Sequence, residues 1–242
     1  MKIYVVSHKL FRMPMNDSMY CPIWVGGKKE TKVPDGWCRD DLGENISARN
    51  SHYCELTALY WIWKHGTDEI EGLCHYRRYF VTPFGKFMNI LFHKQVGFLR
   101  EKQIKKMLQH CDLIRHNPTF FKEGIRKQYE KNHSAQDLRV VEQIIRERHP
   151  AYVEAFETVM NGYSIHLLNM MIAPKNILDA YSEWLFDILF EYEKQVGMTE
   201  SNRRVMGFLA ERLLDVWVLG KGLKAKDCFT LNTERIDLKI VQ

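Results

Sequence analysis

The sequence lacks the motifs that identify several large enzyme classes. It has no Walker-type phosphate loop, no G-x-G-x-x-G, no G-x-S-x-G and no H-E-x-x-H. These absences argue against P-loop nucleoside triphosphatases, dinucleotide-dependent dehydrogenases, typical serine hydrolases and zinc peptidases of the H-E-x-x-H type. An Asp-x-Asp pair is also missing, and the nearest acidic pair is Asp40-Asp41.

Signals for membrane spans, secretion and zinc are absent as well. No apolar run approaches the ~20 residues that a membrane span needs, although peripheral attachment stays open. The six cysteines form no Cys-x-x-Cys pair and no Cys/His spacing typical of zinc. Met1-Lys2 leads directly into the apolar residues 3–6, without a cleavable signal peptide. We therefore expect free cysteines and a reducing, cytoplasmic location.

The length and composition fit one domain of generous size, or one domain with a small appendage, and we expect a single domain over residues 1–242. The chain is 45% hydrophobic, which suffices for a single core of generous size. Its net charge of +5 suits an anionic small molecule, a nucleic acid or an anionic membrane leaflet. Acidic residues interrupt the Lys/Arg runs, which is typical of solvated helix faces.

Hydrophobic periodicity predicts alternating strands and helices. Strand patterns occur at residues 3–7, 22–25, 70–74, 113–114, 165–173 and 227–231. Helical patterns occur at residues 48–65, 87–109, 177–194 and 202–219. Ser47 or Ser51 could cap the first helix, Gly66 could end it, and Gly97 could interrupt the second. Residues 119–162 are mostly helical and charged, which suggests a helical insertion or lid. The alternation predicts an α/β fold with a mainly parallel sheet flanked by helices.

A basic and aromatic cluster follows the strand predicted at 70–74. It consists of His75, Tyr76, Arg77 and Arg78. Ligands of open α/β sheets bind outside the carboxyl ends of strands, and paired arginines favour a phosphate-bearing ligand. An extended segment would place His75 and Arg77 on one face and the other two on the opposite face. A surface strand end with exposed charges is the alternative.

The helix predicted at 48–65 and the turn before it also carry candidate residues. Asn45 and Ser47, after the turn that Gly43 permits, could hydrogen-bond the edges of a sugar or base; a plain helix-entry turn is the alternative. Glu55 lies in an apolar helical stretch and needs a partner, for which Arg77 or Arg78 is the natural choice. For Glu55, an internal ion pair is favoured over catalysis.

A third cluster lies on the helix predicted at 202–219. Arg204, Gly207 and Glu211 follow at i, i+3 and i+7, on one helix face. A carboxylate there could act as a general base or orient a basic side chain. A capped helix with surface charges is the alternative.

The motifs D-x-x-G-x-N-I-S at 40–47, E-L-T-A-L-Y-W-I-W-K at 55–64 and H-Y-R-R-Y-F at 75–80 resemble one bacterial family. It comes from capsule, exopolysaccharide and O-antigen gene clusters and was long labelled a domain of unknown function. Some members are described as galactofuranosyltransferases. The resemblance implies a GT-A-like (Rossmann-like) glycosyltransferase. It would move a sugar, with galactofuranose one candidate, from a UDP-sugar to a lipid-linked oligosaccharide, at the inner face of the membrane.

The resemblance also implies roles for particular residues. Arg77 or Arg78 would stabilise the departing UDP, and Glu211 would deprotonate the acceptor hydroxyl. Glu55, Asn169 and Arg204 would support the site or the acceptor. The implied donor-binding residues are Ser7, His8, Lys9, Asp40, Asn45, Ser47, Asn50, His75, Tyr76, Arg77 and Arg78.

Arginines are expected to take the place of the Mn or Mg ion that Asp-x-Asp holds in GT-A enzymes, and no metal ligand is predicted. Two readings without catalysis stay open: a phosphate- or nucleic-acid-binding module, and a scaffold of a polysaccharide assembly complex. The resemblance itself implies no nucleic-acid partner.

Overall fold

The computed structural model describes residues 1–27 and 32–233. Its strands are β1 Lys2–Ser7, β2 Tyr20–Trp24, β3 Cys38–Arg39, β4 Ile70–His75, β5 Arg78–Val81, β6 Leu113–His116, β7 Thr119–Phe120, β8 Ser164–Ile165, β9 Met171–Pro174 and β10 Ala225–Asn232. Its α-helices are α1 Asn50–Tyr53, α2 Leu56–His65, α3 Pro83–Phe92, α4 Glu101–Leu108, α5 Ile125–Asn132, α6 Ala135–Arg148, α7 Val153–Met160, α8 Lys175–Val196 and α9 Val205–Gly220. Single 3-10 turns occupy Ser47–Arg49, Pro150–Tyr152 and Glu200–Asn202. No helix of this described part is long and apolar enough to cross a bilayer.

The main sheet is mixed, so the prediction of a mainly parallel sheet is wrong. The strand order is β3-β2-β1-β4-β5-β10-β6-β9, and β9 pairs back onto β4, which closes five of the strands into a ring. Strands β1, β2, β3 and β4 run parallel, as do β6 and β10. The remaining pairs, β4–β5, β5–β10, β6–β9 and β4–β9, are antiparallel. Gly72 permits the β4–β9 contact, because a Cβ there would stand 2.9 Å from the Met171 carbonyl oxygen.

Two hydrophobic cores lie on opposite faces of β1. Tyr4 and Val6 join the larger core, which α2, α8 and α9 cover, while Ile3 and Val5 join a smaller core that includes Ile104 of α4. Successive side chains of a strand face opposite sides, so burial on both faces explains the unbroken apolar run that opens the chain. The strand predicted at 3–7 is confirmed.

The single helix predicted at 48–65 is wrong. The chain forms a 3-10 turn, then α1, and α2 begins only after Cys54, whose φ is 52° and ψ −127°. Asn50 Nδ2 stabilises the break by donating to the Cys54 carbonyl oxygen at 2.7 Å. Neither predicted serine caps a helix: the Ser47 hydroxyl donates to Asp40, and that of Ser51 bonds the His52 ring.

The strand predicted at 165–173 is also interrupted. It divides into β8 and β9, with an irregular loop over residues 166–170 in which Leu168 and Asn169 have φ values of 76° and 50°. Residues 119–162 are mainly helical, as predicted, and break at Pro150. Their helices supply Leu138, Ile144 and Phe156 to the larger core. That residues 1–242 form a single domain, with this segment as an insertion or lid, stays a prediction.

One buried acid on β4 makes the stability of this fold depend on pH. Glu71 is completely buried, and its Oε1 accepts a hydrogen bond of 3.2 Å from the Asp68 amide. Burial raises the pKa of Glu71 to about 7, although Lys175 nearby acts in the opposite direction. The native chain therefore retains a proton that the unfolded chain releases above the ordinary value of 4.5. Its free energy of unfolding falls as the pH rises between those values.

We expect the change Glu71→Gln to remove this dependence. It should raise the free energy of unfolding by about 2–3 kcal/mol near pH 8 and change it little near pH 5, because the amide never ionises. Urea unfolding at the two pH values measures the effect. Glu69→Gln, which alters the exposed neighbouring acid, is the matched control. An equal gain at both pH values would contradict the buried ionisation.

Candidate functional site

A cleft of about 300 Å³ lies at the carboxyl ends of β1 and β4. These strands are parallel neighbours, with Val6 opposite His75, so the side chains that follow them meet at one edge of the sheet. The lining residues predicted from the sequence are Ser7, His8, Asn50, Glu55, His75, Tyr76, Arg77, Arg78, Arg204 and Glu211. The cleft therefore brings together most of the candidate residues, from four separate segments of the chain.

The cluster after β4 forms a tight hairpin, so an extended segment with its residues divided between two faces is not what the structure shows. His75 pairs with Arg78 across the antiparallel β4–β5 ladder, and Tyr76 and Arg77 make the turn between them. The Tyr79 hydroxyl donates to the Tyr76 carbonyl oxygen at 2.9 Å. Because the chain reverses here, all four residues of the cluster line the same cleft.

His75 contributes a neutral ring to this cleft. Its Nε2 lies 2.7 Å from the Leu168 carbonyl oxygen, which can only accept, so Nε2 carries the proton. Burial, with help from Arg78 and Arg77, lowers the pKa of His75 below its ordinary 6.5, against the opposing charge of Glu55. The positive charge of the site near pH 7 therefore comes from arginine.

Basic groups surround the Tyr76 ring at the mouth of the cleft. The Arg77 guanidinium carbon lies 5.7 Å from the ring centroid, and Lys9 Nζ lies 4.9 Å from it. The His8 ring meets it edge-on at 5.8 Å. Such contacts orient cations over an aromatic face. Arg204 adds a third arginine to the cleft lining, after Arg77 and Arg78, and its guanidinium carbon lies 5.1 Å from the centroid of the Phe208 ring.

Two carboxylates line the same cleft. Glu211 accepts a 2.8 Å hydrogen bond from the Leu168 amide through Oε1 and pairs with Arg212 through Oε2 at 3.0 Å. Glu55 Oε1 accepts a 2.7 Å hydrogen bond from Asn169 Nδ2. Burial is the largest cause of the raised pKa of Glu211, and the charge of Glu55 adds to it, while Arg212 opposes it. A carboxylate with a raised pKa is better matched to accept a proton near neutral pH.

The sequence assigned no role to Arg212, whose guanidinium orients Glu211 by bonding its Oε2 atom. Arg212 is buried, and its other donors bond the Phe208 carbonyl oxygen at 3.1 Å and Gln128 Oε1 at 2.6 Å. Adjacent residues of a helix do not normally face each other, so the Glu-Arg dipeptide alone gave no signal of this pair. The long Arg212 side chain nevertheless brings its Nη1 to 3.0 Å from Glu211 Oε2.

Leu168 and Cys54 were missed as well. Leu168 contributes its backbone amide and carbonyl groups. An apolar residue in a predicted strand does not indicate such a role. Cys54 lines the cleft at the break between α1 and α2. Burial raises the pKa of its thiol to about 11, so the thiol stays protonated near neutral pH and is a poor nucleophile.

Three predicted donor-binding residues hold a turn outside the cleft lining. The buried Asp40 carboxylate accepts 2.6 Å and 3.4 Å hydrogen bonds from the Ser47 hydroxyl and the Gly26 amide. Asn45 accepts from the Ser47 amide at 3.1 Å and donates to the Gly43 carbonyl oxygen at 2.7 Å. These contacts match the alternative of a helix-entry turn, and a donor contact by these residues stays a prediction.

Two other predicted residues also lie just beyond the cleft lining. Lys9 lines an adjoining cavity, which shares Tyr76 with the cleft. Asn169 is buried and donates to Glu55 and to the Gly207 carbonyl oxygen at 3.1 Å. Its predicted role in supporting the site or the acceptor stays a prediction.

The donor set of this cleft does not fit a Mn or Mg ion. Such ions take oxygen ligands, whereas the carboxyl end of β4 presents Arg77 and Arg78, which would repel a cation. Within residues 1–27 and 32–233, no group of three or more His, Cys, Asp or Glu side chains could hold a metal ion. Glu55 and Glu211 are the carboxylates of the cleft lining, and both already accept hydrogen bonds from protein groups.

Comparison with known proteins relates this arrangement to one family. The chain resembles the apo structure of the bifunctional glycosyltransferase WbbM, with a TM-score of 0.80 and 27% identity over 96% of this chain. It spans 45% of that protein's chain. No curated protein matches. A family model described as "Domain of unknown function (DUF4422)" matches residues 2–222. Because that match covers nearly the whole chain, the protein belongs to the DUF4422 family.

Proposed function

We propose that the protein is a nucleotide-sugar-dependent glycosyltransferase with a GT-A-like arrangement. It transfers a sugar from a UDP-sugar to a lipid-linked oligosaccharide in the synthesis of capsule, exopolysaccharide or O-antigen, and galactofuranose is one candidate sugar. One observation carries the proposal: Arg77, Arg78 and Arg204 line the same cleft as Glu55 and Glu211. The likeness to WbbM, a glycosyltransferase, supports it.

The arginines account for the donor half of the reaction. When the bond from the anomeric carbon to the diphosphate breaks, its electron pair stays on the diphosphate oxygen, and negative charge builds up there. Arg77 and Arg78, fixed by the β4–β5 hairpin, supply positive charge in a partly enclosed site. Guanidinium groups bind phosphate oxygens bidentately, and charges that are already oriented stabilise a departing anion most effectively.

The carboxylates account for the acceptor half. As the acceptor oxygen bonds to the anomeric carbon, its proton must leave, and Glu211 takes it. Arg212 and the Leu168 amide hold both oxygens of Glu211 in place. Glu55 lies in the same cleft, held by Asn169, and is the second carboxylate that could take the proton.

We expect Arg77→Ala and Arg78→Ala, made singly, each to lower the rate of transfer from UDP-sugars by about 100-fold or more, because each removes a preorganised charge from the leaving group. Mass spectrometry of products from a panel of UDP-sugars and lipid-linked acceptors measures transfer. Arg139→Ala is the matched control, since Arg139 is an exposed arginine on α6. Near-normal turnover in both single variants would reject the clamp.

Thermal unfolding of the wild-type chain with UDP, GDP, CMP and their sugars separates the proposal from its rival. A ligand that binds the native state raises the unfolding temperature by mass action. Selective stabilisation by UDP or a UDP-sugar supports the transferase. An equal response to every polyanion, with steep salt dependence, supports a phosphate- or nucleic-acid-binding module instead.

We expect Glu211→Gln to abolish transfer while leaving UDP binding intact, because the amide cannot accept the proton. In the wild type, the rate should fall as the pH drops through the raised pKa of Glu211, since the protonated acid is no longer a base. The fall should lie above the pH range of an ordinary glutamate. Steady-state rates over a pH series measure this.

Glu55→Gln is the matched variant for the choice of base. It changes the other carboxylate of the cleft lining and leaves the pair between Glu211 and Arg212 in place. If Glu55→Gln abolishes the acid limb of the pH profile and Glu211→Gln retains it, the roles of the two carboxylates are reversed.

A further inference from the structure

Helix α3 turns its apolar side chains away from the protein. Gly85 is its one buried residue, whereas Phe84, Phe87 and Ile90 are 65%, 54% and 62% exposed. Leu91 and Phe92 are also more than half exposed. A surface helix normally directs its apolar stripe into the core. Contiguous exposed apolar residues mark a site of interaction.

The packing of α3 keeps these side chains outside. A Cβ on Gly85 would lie 2.4 Å from the Val96 carbonyl oxygen and 2.8 Å from Gly97 Cα, so only glycine allows the helix to approach the following turn. Thr82 caps the helix by accepting from the Gly85 amide at 3.1 Å, and Lys86 Nζ donates to the Thr230 carbonyl oxygen at 3.1 Å. The small and polar side of α3 therefore attaches it to the fold.

The sequence around α3 is basic and contains no acid. Residues 8–16 and 82–100, which we call the basic apolar face, carry no Asp or Glu, although the whole chain has 30. Seven of the thirteen exposed large apolar side chains in the described chain also belong to these two segments. Their lysines and arginines are Lys9, Arg12, Lys86, Lys94 and Arg100.

The two segments adjoin each other and the cleft. Residues 9–14 line a cavity of about 580 Å³ together with Gln95, from the turn after α3. Tyr76 lines both this cavity and the cleft. Leu10, on the rim, is 61% exposed. The basic apolar face therefore adjoins the cleft at Tyr76.

We propose that the basic apolar face seats the protein on an anionic lipid surface. Exposed Phe, Leu and Ile side chains enter the boundary between headgroups and acyl chains, while the flanking Lys and Arg side chains contact anionic headgroups. A second copy of the chain fits less well, because a symmetric contact would oppose two basic faces. This attachment does not depend on the proposed function. If that function holds, attachment brings the cleft to lipid-linked acceptors.

The test is flotation of the full chain with vesicles of phosphatidylcholine alone or mixed with an equal amount of phosphatidylglycerol. We expect binding to the mixed vesicles that weakens as salt is raised. The double change Phe87→Glu and Leu91→Glu should weaken it about tenfold or more, because two apolar side chains no longer enter the bilayer. Leu219→Glu, on a helix elsewhere and 48% exposed, is the matched control and should bind as the wild type does.

Circular dichroism checks that the double variant folds, and the milder single change Ile90→Gln serves if it does not. Failure of the wild type to bind mixed vesicles overturns the proposal, as does equal binding by wild type and variant. A wild-type dimer that the double change converts to a monomer, without vesicle binding, would identify a self-association surface instead. Flotation needs no sugar donor, so Arg77→Ala should float normally even where it abolishes transfer, which separates the two proposals.

Discussion

The geometry of the cleft depends on the hydrogen bonds of one loop, residues 166–169. Its polar groups bond six partners: His166 to Asp215, the Leu167 carbonyl to His116, the Leu168 amide and carbonyl to Glu211 and His75, and Asn169 to Glu55 and the Gly207 carbonyl. A buried polar group left without a partner costs about 1–3 kcal/mol. The loop therefore fixes both carboxylates and the neutral histidine at once, and a shift of its backbone would disturb all three.

The same loop also helps to hold the two carboxylates that line the cleft. Glu211 is held from behind by Arg212, which α9 and Gln128 keep buried, and Glu55 is held by Asn169. Burying charges costs several kcal/mol per ion unless hydrogen bonds compensate. The compensating bonds orient the carboxylates as they stabilise them. An anion that enters the cleft thus meets Arg77, Arg78 and Arg204 on a framework that is already ordered.

Features that depend on neighbouring residues could be predicted from the sequence, whereas features that depend on partners distant in the sequence could not. The strand at 3–7, buried on both faces, and the arginines after β4 are local patterns and were found. The break at Cys54 and the left-handed residues Leu168 and Asn169 are stabilised by partners distant in sequence, for which periodicity gives no sign. The mixed sheet was missed for a related reason. Strand patterns predict which residues form strands, but they do not give the direction of a strand in the sheet. The directions of β5, β9 and β10 depend on the path of the segments that connect them.

The β4–β5 hairpin connects the cleft to the basic apolar face. At its tip, Tyr76 lines the cleft on one side and the adjoining cavity on the other. Strand β5 then leads through Thr82 directly into α3, so only a few residues of ordered backbone separate Arg78 from the first exposed phenylalanine. The hairpin is part of the closed ring of strands, and the hydrogen bond from Lys86 to the Thr230 carbonyl oxygen attaches α3 to β10 of that ring. Because no flexible linker intervenes, a surface bound by α3 would lie at a fixed distance and angle from the cleft. A soluble ligand would gain nothing from that geometry, whereas a substrate presented at an interface would.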